Sequence, residues 1–337
     1  MNRQKPKSIL VYRLSALGDV AMTIPAIYSC ARTWPDTTFH VVTASFCAQL
    51  FVRAPQNVVL HPIEKPVGTW RLLKALSKIK VNAVADLHNV LRSWLVDTMF
   101  LMKGKRVVML DKRRNERRAV LGHQLQARPY VERYFDVFAR LGVNAQPSFK
   151  SLFSERPTSP VNMDKGSERW IGIAPFARYD NKAYPQDKMQ EVIRMLVSDA
   201  RTRVFLFGSR GHEEEILKSW AIASDRIEVV AGRFSLTDEL ALMSYMDTML
   251  TMDSSNHHLA SLAGIRVVSV WGSTTPACGF MGWGQQMNDA LISGVDCQPC
   301  TTAGSKRCRL GTLACMHSLS PESIVEKLIA EPKTIQW

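Results

Sequence analysis

Residues 13–25 read Arg-Leu-Ser-Ala-Leu-Gly-Asp-Val-Ala-Met-Thr-Ile-Pro and follow the apolar run Ile9–Tyr12. An apolar, β-branched run, a tight loop holding Gly18 and then a helical pattern describe a strand handed to a helix. Residues 252–264, Met-Asp-Ser-Ser-Asn-His-His-Leu-Ala-Ser-Leu-Ala-Gly, repeat that arrangement in the other half of the chain. Parallel sheets bind their ligands at such hand-overs, which puts Asp19 and Asp253 at the edge of a site. The two segments predict a two-domain α/β enzyme with its site in the cleft between the halves.

Working outward, strands are expected at 9–14, 39–44, 57–62, 81–87 and 106–110, with helices at 20–33, 69–78, 91–102 and 130–141. Residues 143–168 lack periodicity, are rich in Pro and Ser, and read as a linker. Alternation then resumes, with strands at 170–174, 203–207, 227–230, 248–252 and 267–271 and helices at 186–200, 211–223, 235–246, 255–263 and 321–330. Strands and helices alternating at this spacing form βαβ units and parallel sheets. The expected domains are 1–155 and 156–337, with the C-terminal helix able to pack back on the first.

Composition bounds the function. At 337 residues, 46% hydrophobic and 22% charged, the chain can bury two cores and is not a disordered sequence. No apolar run reaches the roughly 18 residues of a membrane span. The four-residue run after the basic N-terminus reads as a strand and not a signal peptide, so a cytoplasmic location is expected. The formal charge is +13, and residues 101–133 hold ten Lys or Arg against three acids. Such a patch suits a polyanion, an anionic membrane or a phosphorylated glycolipid, or else is a solvated face. Neither zinc-finger spacing nor an RNP-like aromatic run accompanies it, which argues against nucleic acid.

The residue types at the hand-overs suit anion and hydroxyl chemistry. Asp19 reads as a helix N-cap or as a general base towards a hydroxyl. No Gly-x-Gly-x-x-Gly follows the first strand, so a nicotinamide enzyme has little support. Asp253 ends a strand, and Ser254 and Ser255 open a helix whose free amides suit phosphate. His257 and His258 are adjacent, face different directions and do not form a chelating pair. Gly272-Ser-Thr-Thr-Pro276 follows the next strand and suits a pyrophosphate or is an ordinary loop. Lys182 either neutralises a diphosphate or is a surface lysine. Cys297, Cys300, Cys308 and Cys315 lie within nineteen residues; they read as reduced thiols, a structural zinc site or redox partners.

Taken together these pieces resemble glycosyltransferase family 9, the bacterial lipopolysaccharide heptosyltransferases. The resemblance is carried from Ile9 to about Leu328 by the Arg13–Asp19 start, Asp86-Leu87-His88 with Arg92, Lys182-Ala-Tyr-Pro185, Asp253-Ser-Ser255 with His258-Leu-Ala260, the 272–276 loop, and the cysteine cluster with Cys315-Met316. It implies a GT-B fold, two Rossmann-like domains facing across a cleft, the acceptor on the first and the nucleotide sugar on the second. It implies inverting, metal-independent transfer of heptose from ADP-L-glycero-D-manno-heptose to the inner core of lipopolysaccharide, with no cofactor.

By the same resemblance Asp19 is the base and Lys182 stabilises the departing diphosphate. Asp253 meets the sugar hydroxyls, and Ser254, Ser255, His258, Thr274 and Thr275 hold the diphosphate. Ser15, Gly18, Asp86, His88, Arg92, Arg113 and Arg117 face a lipid A-type glycolipid, at the cytoplasmic face of an anionic inner membrane. Three departures lie on the donor side: Ser255 where Gly is usual, Tyr184 for Trp, and no Gly in Phe176-Ala-Arg178. They keep open another nucleotide sugar as donor; a non-catalytic nucleotide-sugar-binding protein is the other alternative.

Overall fold

The computed structural model describes residues 5–123, 125–305 and 307–331, leaving aside the side chain of Arg117. The chain forms, in order, β1 (Ser8–Tyr12), α1 (Leu17–Ala21), α2 (Ile24–Thr33), β2 (Thr38–Ala44), α3 (Ser45–Ala48), β3 (Val58–Ile63), α4 (Thr69–Ser77), β4 (Ala83–Asp86), α5 (Leu91–Met102), β5 (Arg106–Met109), α6 (Arg114–Leu121) and α7 (Tyr130–Arg140). There follow β6 (Arg169–Ala174), α8 (Gln186–Val197), β7 (Thr202–Leu206), α9 (His212–Ala221), β8 (Ile227–Val229), α10 (Leu236–Met243), β9 (Thr248–Met252), α11 (Ser255–Ala263), β10 (Arg266–Trp271), β11 (Ala290–Ile292), α12 (Ala314–His317) and α13 (Pro321–Ile329).

Two compact units result, Met1–Arg113 with Arg128–Phe149, and Arg114–Ala127 with Lys150–Trp337. The first holds a five-stranded sheet ordered β3-β2-β1-β4-β5 and the second a six-stranded sheet ordered β11-β10-β9-β6-β7-β8. Every pairing is parallel. Numbered from each unit's own start these are the 3-2-1-4-5 and 3-2-1-4-5-6 orders of Rossmann-like sheets, whose strand order reverses between the first and fourth strands. The reversal falls between β1 and β4 in the first unit and between β6 and β9 in the second.

Local departures from the expected elements have local causes. The helix expected over 20–33 is broken into α1 and α2. Pro25 has no N–H to donate back to Ala21, and the Thr23 hydroxyl instead donates to the Val20 carbonyl at 2.7 Å. The edge strand β11, three residues long, carries too little pattern to be read alone. Helix α6 lies in the basic stretch. Val120 and Ala127 on its segment pack with Cys278, Ala277 and Phe280, so residues 114–127 group with the second unit. Among the described residues no helix is long and apolar enough to cross a membrane.

In the first unit Leu72 and Leu76 of α4 and Val96 and Phe100 of α5 cover Leu10, Tyr12 and Val84 of the sheet. In the second, Met189, Val192 and Ile193 of α8 meet Ile324 and Leu328 of α13 over Ile171 and Leu250. Arg266 locks that last helix down. It makes a two-point ion pair with Asp289 at 2.9 and 2.6 Å and donates to the carbonyls of Lys327 and Ala330. The C-terminal helix thus packs within the second unit.

Asp97 lies on the buried face of α5, 4% exposed. Burial, joined by the neighbouring charge of Asp86, pushes its carboxyl up to about 8. An unfolded carboxyl titrates near about 3.9, so between these values the native protein holds a proton that the unfolded chain has released. Stability from this group therefore falls as pH rises through that window and stays reduced above it. Asp97→Asn is expected to melt with the wild type at the acid end of the window. Above about pH 8 it should melt several degrees higher. Parallel melting curves across the range would mean that Asp97 does not hold that proton.

Candidate functional site

The first switch point is built around Arg13, the residue after β1 and only 7% exposed. Its guanidinium donates to the Ser15 carbonyl at 2.9 Å and to the Leu87 carbonyl at 2.6 Å, and pairs with Asp19 Oδ2 at 2.5 Å. One side chain therefore ties the loop after β1 to the loop after β4. Burial opposes its charge, but the Tyr134 ring and the Asp19 carboxylate outweigh that and hold its pKa above the ordinary value.

Asp19 is the third residue of α1 and reaches back to the Ala16 amide at 3.3 Å, the return arm of a capping box. The N-cap expected at Asp19 is therefore Ala16. Gly18 takes helical backbone inside α1, so the tight loop expected to hold it ends before it. Both Asp19 contacts fall on Oδ2.

Asp86 ends β4, fully buried. Its Oδ1 accepts the amides of His88 and Asn89 at 2.8 and 2.9 Å, and its Oδ2 accepts the Ser93 hydroxyl at 2.6 Å. It thus builds the loop that carries His88. Burial first, and then Arg13, push the His88 imidazole down to about 4, so it is neutral in any ordinary medium. Arg92 donates to the Val67 carbonyl ahead of α4. Arg113 is held elsewhere in the unit, lining a cavity of about 390 Å³ with Asp111, Arg133, Asp136 and Arg140. The Arg117 side chain lies outside the described residues.

The second switch point centres on Asp253, 8% exposed. Its Oδ2 meets Lys182 Nζ at 2.6 Å and accepts the Thr274 hydroxyl at 2.5 Å. Lys182 closes a 3-10 turn, Asp180–Lys182, after β6, and is 9% exposed. Its stem lies on Gly304, where an added Cβ would stand 2.2 Å from Lys182 Cε and where φ is +79°. Gly304 is fixed in turn, donating its amide to the Thr301 hydroxyl at 2.7 Å, while the Cys300 and Thr301 amides donate to the Ser273 carbonyl at 3.0 Å.

Ser254 is the N-cap residue of α11 yet its hydroxyl makes no cap bond, and this oxygen and Thr275 Oγ1 are buried without partners. An uncapped helix start beside two such hydroxyls and a lysine is chemically an anion cradle. Ser255 opens that helix. His257 is buried and accepts the Gly282 amide at 2.7 Å, burial holding it well below the ordinary histidine value. His258 is also buried, its ring 5.4 Å from that of His257.

All seven cysteines are free thiols. Burial pushes Cys315 up to about 11, whereas backbone amides, first that of Leu313, pull Cys308 down. Among the described residues no three His, Cys, Asp or Glu side chains are grouped so as to hold a metal ion.

Sequence reasoning gathered Lys182, Asp253 and Thr274 and missed three residues. Arg13 carried a signal, a cation directly after a buried strand, but it read as a strand end. Ser93 and Gly304 carried none.

Residues 69–310 match the family described as glycosyltransferase family 9 (heptosyltransferase). Among curated proteins, the chain is similar to the lipooligosaccharide heptosyltransferase 2 of Campylobacter jejuni, 22% identical over 95% of this chain and 98% of that one. Among solved structures it is similar to a family 9 glycosyl transferase of Veillonella parvula, with TM-score 0.70, 18% identity and 95% of each chain covered. The heptosyltransferase WaaC of E. coli with ADP gives TM-score 0.66 and 19% identity over 88% of this chain and 96% of that one. These neighbours share the two-sheet α/β architecture of the GT-B fold.

Gly272 packs directly against the Lys182 turn. Any Cβ there would stand 2.4 Å from the Asn181 carbonyl oxygen and 2.5 Å from Met316 Cε. Gly272→Ala is expected to cost about 1–3 kcal/mol by overpacking. The Lys182 turn lies against that position, so the variant should melt several degrees lower than the wild type. A variant that melts with the wild type would show that the turn gives way without cost.

Proposed function

The chain belongs to glycosyltransferase family 9, and from that premise we propose that it moves a heptose from ADP-L-glycero-D-manno-heptose to the inner core of lipopolysaccharide, with inversion and without a metal. The observation that carries the reading is the Lys182–Asp253–Thr274 group at a sheet's switch point, beside the unpartnered hydroxyls of Ser254 and Thr275. A diphosphate needs a cation and oriented donors, and that group with the α11 amides supplies both.

In the reaction, Asp19 accepts the proton of an acceptor hydroxyl as its oxygen attacks the anomeric carbon. The bond from that carbon to the diphosphate breaks, and its electron pair leaves on ADP. Arg13 fixes Asp19 through Oδ2, leaving Oδ1 to take the proton. Lys182 and the α11 amides stabilise the departing charge. Thr274 and Lys182 hold Asp253 by Oδ2, so its Oδ1 is free to orient sugar hydroxyls. His88, uncharged, and the Asp86-built loop lie on the acceptor side with Ser15 and Arg92. The acceptor is a glycolipid of the lipid A type. The enzyme works as a cytoplasmic, peripheral protein at the inner membrane, and the basic stretch that includes Arg113 and Arg117 favours its anionic surface. WaaC of E. coli is a heptosyltransferase seen with ADP and with a fluorinated ADP-heptose, which supports the choice of donor.

A melting-temperature panel with ADP, GDP, UDP, CMP, TDP and ADP-heptose tests the donor. A ligand at about a hundred times its Kd adds about 2.7 kcal/mol. The expected result is an upward shift of several degrees with ADP and ADP-heptose only; a larger shift with another nucleotide replaces the donor. In a transfer assay Asp19→Asn is expected to lower kcat by about 10²–10⁴-fold while keeping the ADP shift. Turnover within about twofold of wild type would remove Asp19 from the base role, because a positioned general base accounts for far more than that.

A further inference from the structure

Helix α5 is apolar on both sides. Ser93, Val96, Asp97 and Phe100 face the core. Leu91, Trp94, Leu95, Leu101 and Met102 form the outer stripe at helical spacing, and they are 74, 47, 50, 55 and 79% exposed. A helix with two apolar faces is ordinarily covered on both. Beside it on the same side of the sheet lies α4, with Trp70 83% exposed. Lys103, just after α5, donates to the Ser77 carbonyl at the end of α4 at 3.1 Å and joins the two helix ends.

The exposed charged side chains on and just after these two helices all have one sign. Arg71, Lys74, Lys78 and Lys103 are exposed on and after the two helices. The only carboxylate within α4 or α5 is Asp97, which is buried. Tryptophans, leucines and a methionine interspersed with lysine and arginine, with no acid among them, match the chemistry of an anionic bilayer surface. Its headgroups attract the cations, and its interface accepts amphipathic rings and short apolar side chains.

We infer that the outer face of α4 and α5 is the protein's membrane-docking surface, inserting Trp70, Leu95, Leu101 and Met102 shallowly into a bilayer rich in anionic phospholipid. The inference deepens the glycolipid-acceptor reading and rests on it for the choice of a bilayer as partner. It differs from electrostatic adhesion through the basic stretch that ends α5 and continues into α6, because apolar side chains carry the binding here. α5 begins two residues after Asn89, so a helix seated on lipid brings the His88 loop to the surface where a lipid-anchored acceptor lies.

The test is co-sedimentation of the full chain with phosphatidylcholine vesicles with and without about one-third phosphatidylglycerol. Wild type is expected to pellet with the anionic vesicles, and its tryptophan emission should shift to the blue. The triple variant Trp70→Ser, Leu95→Ser, Met102→Ser is expected to lose about tenfold or more in vesicle affinity while keeping the wild-type thermal response to ADP. The pair Lys74→Glu and Lys78→Glu should remove the preference for anionic vesicles. If the triple variant fails to fold, Trp70→Ser alone, at the most exposed of these positions, is read for loss of binding and of the blue shift.

Wild type that stays in the supernatant, or a folded triple variant that binds as well as wild type, overturns the inference. So does a wild-type dimer in light scattering that the triple variant turns into a monomer, since the face would then be a subunit interface. Vesicle binding without any ADP shift would instead count against the donor reading and leave the docking surface standing.

Discussion

Parallel pairing is the constraint on which everything else here depends. Because each sheet is parallel throughout, each connection must travel back across a face of the sheet, and all strands end along one edge. Reversal of strand order beside β1 and beside β6 parts neighbouring crossovers and leaves room at two places on those edges. The side chains that can bind or move charge stand there. Arg13 and Asp19 follow β1, and the His88 loop follows β4. Lys182 follows β6, Asp253 follows β9, and Thr274 follows β10.

Each switch point holds a carboxylate paired with a cation in a largely buried setting, Arg13 with Asp19 and Lys182 with Asp253. Such pairs are poor sources of stability, because desolvation cancels much of their attraction. Their value lies in geometry. In both carboxylates the observed contacts converge on Oδ2, which fixes the plane of the group and directs Oδ1 elsewhere. Arg13 does this while bridging two strand ends, and Lys182 does it while lying along Gly304.

The alternation of apolar runs and helical patterns made the sheets, their order of appearance and the crossovers legible, since burial on both faces leaves near-continuous apolar strands such as Ile9–Tyr12 and Val267–Trp271. The same logic put Asp253 at a strand end, because it directly follows such a run; Asp19 and Lys182 lie further along the segments that leave β1 and β6, and their roles rested on the family resemblance. What stayed hidden depends on contacts between distant residues. That Asp86 is spent on the amides of His88 and Asn89 is decided by how the loop folds back. Gly18 looked like a turn and is helical, because one glycine fits either. The grouping of α6 with residues near Cys278 follows from a few apolar contacts that no local periodicity encodes.

The seat of Lys182 is a piece of chain more than a hundred residues downstream. Its stem rests on the bare backbone of Gly304, which Thr301 holds in place, and neither residue belongs to the strands or helices of the sheet. A side chain added at Gly304 would therefore press on Lys182 directly while leaving every strand and helix of the sheet unaltered. The charge at the second switch point is thus set from outside the sheet, so its placement can change while the strands that carry Asp253 and Thr274 keep their register.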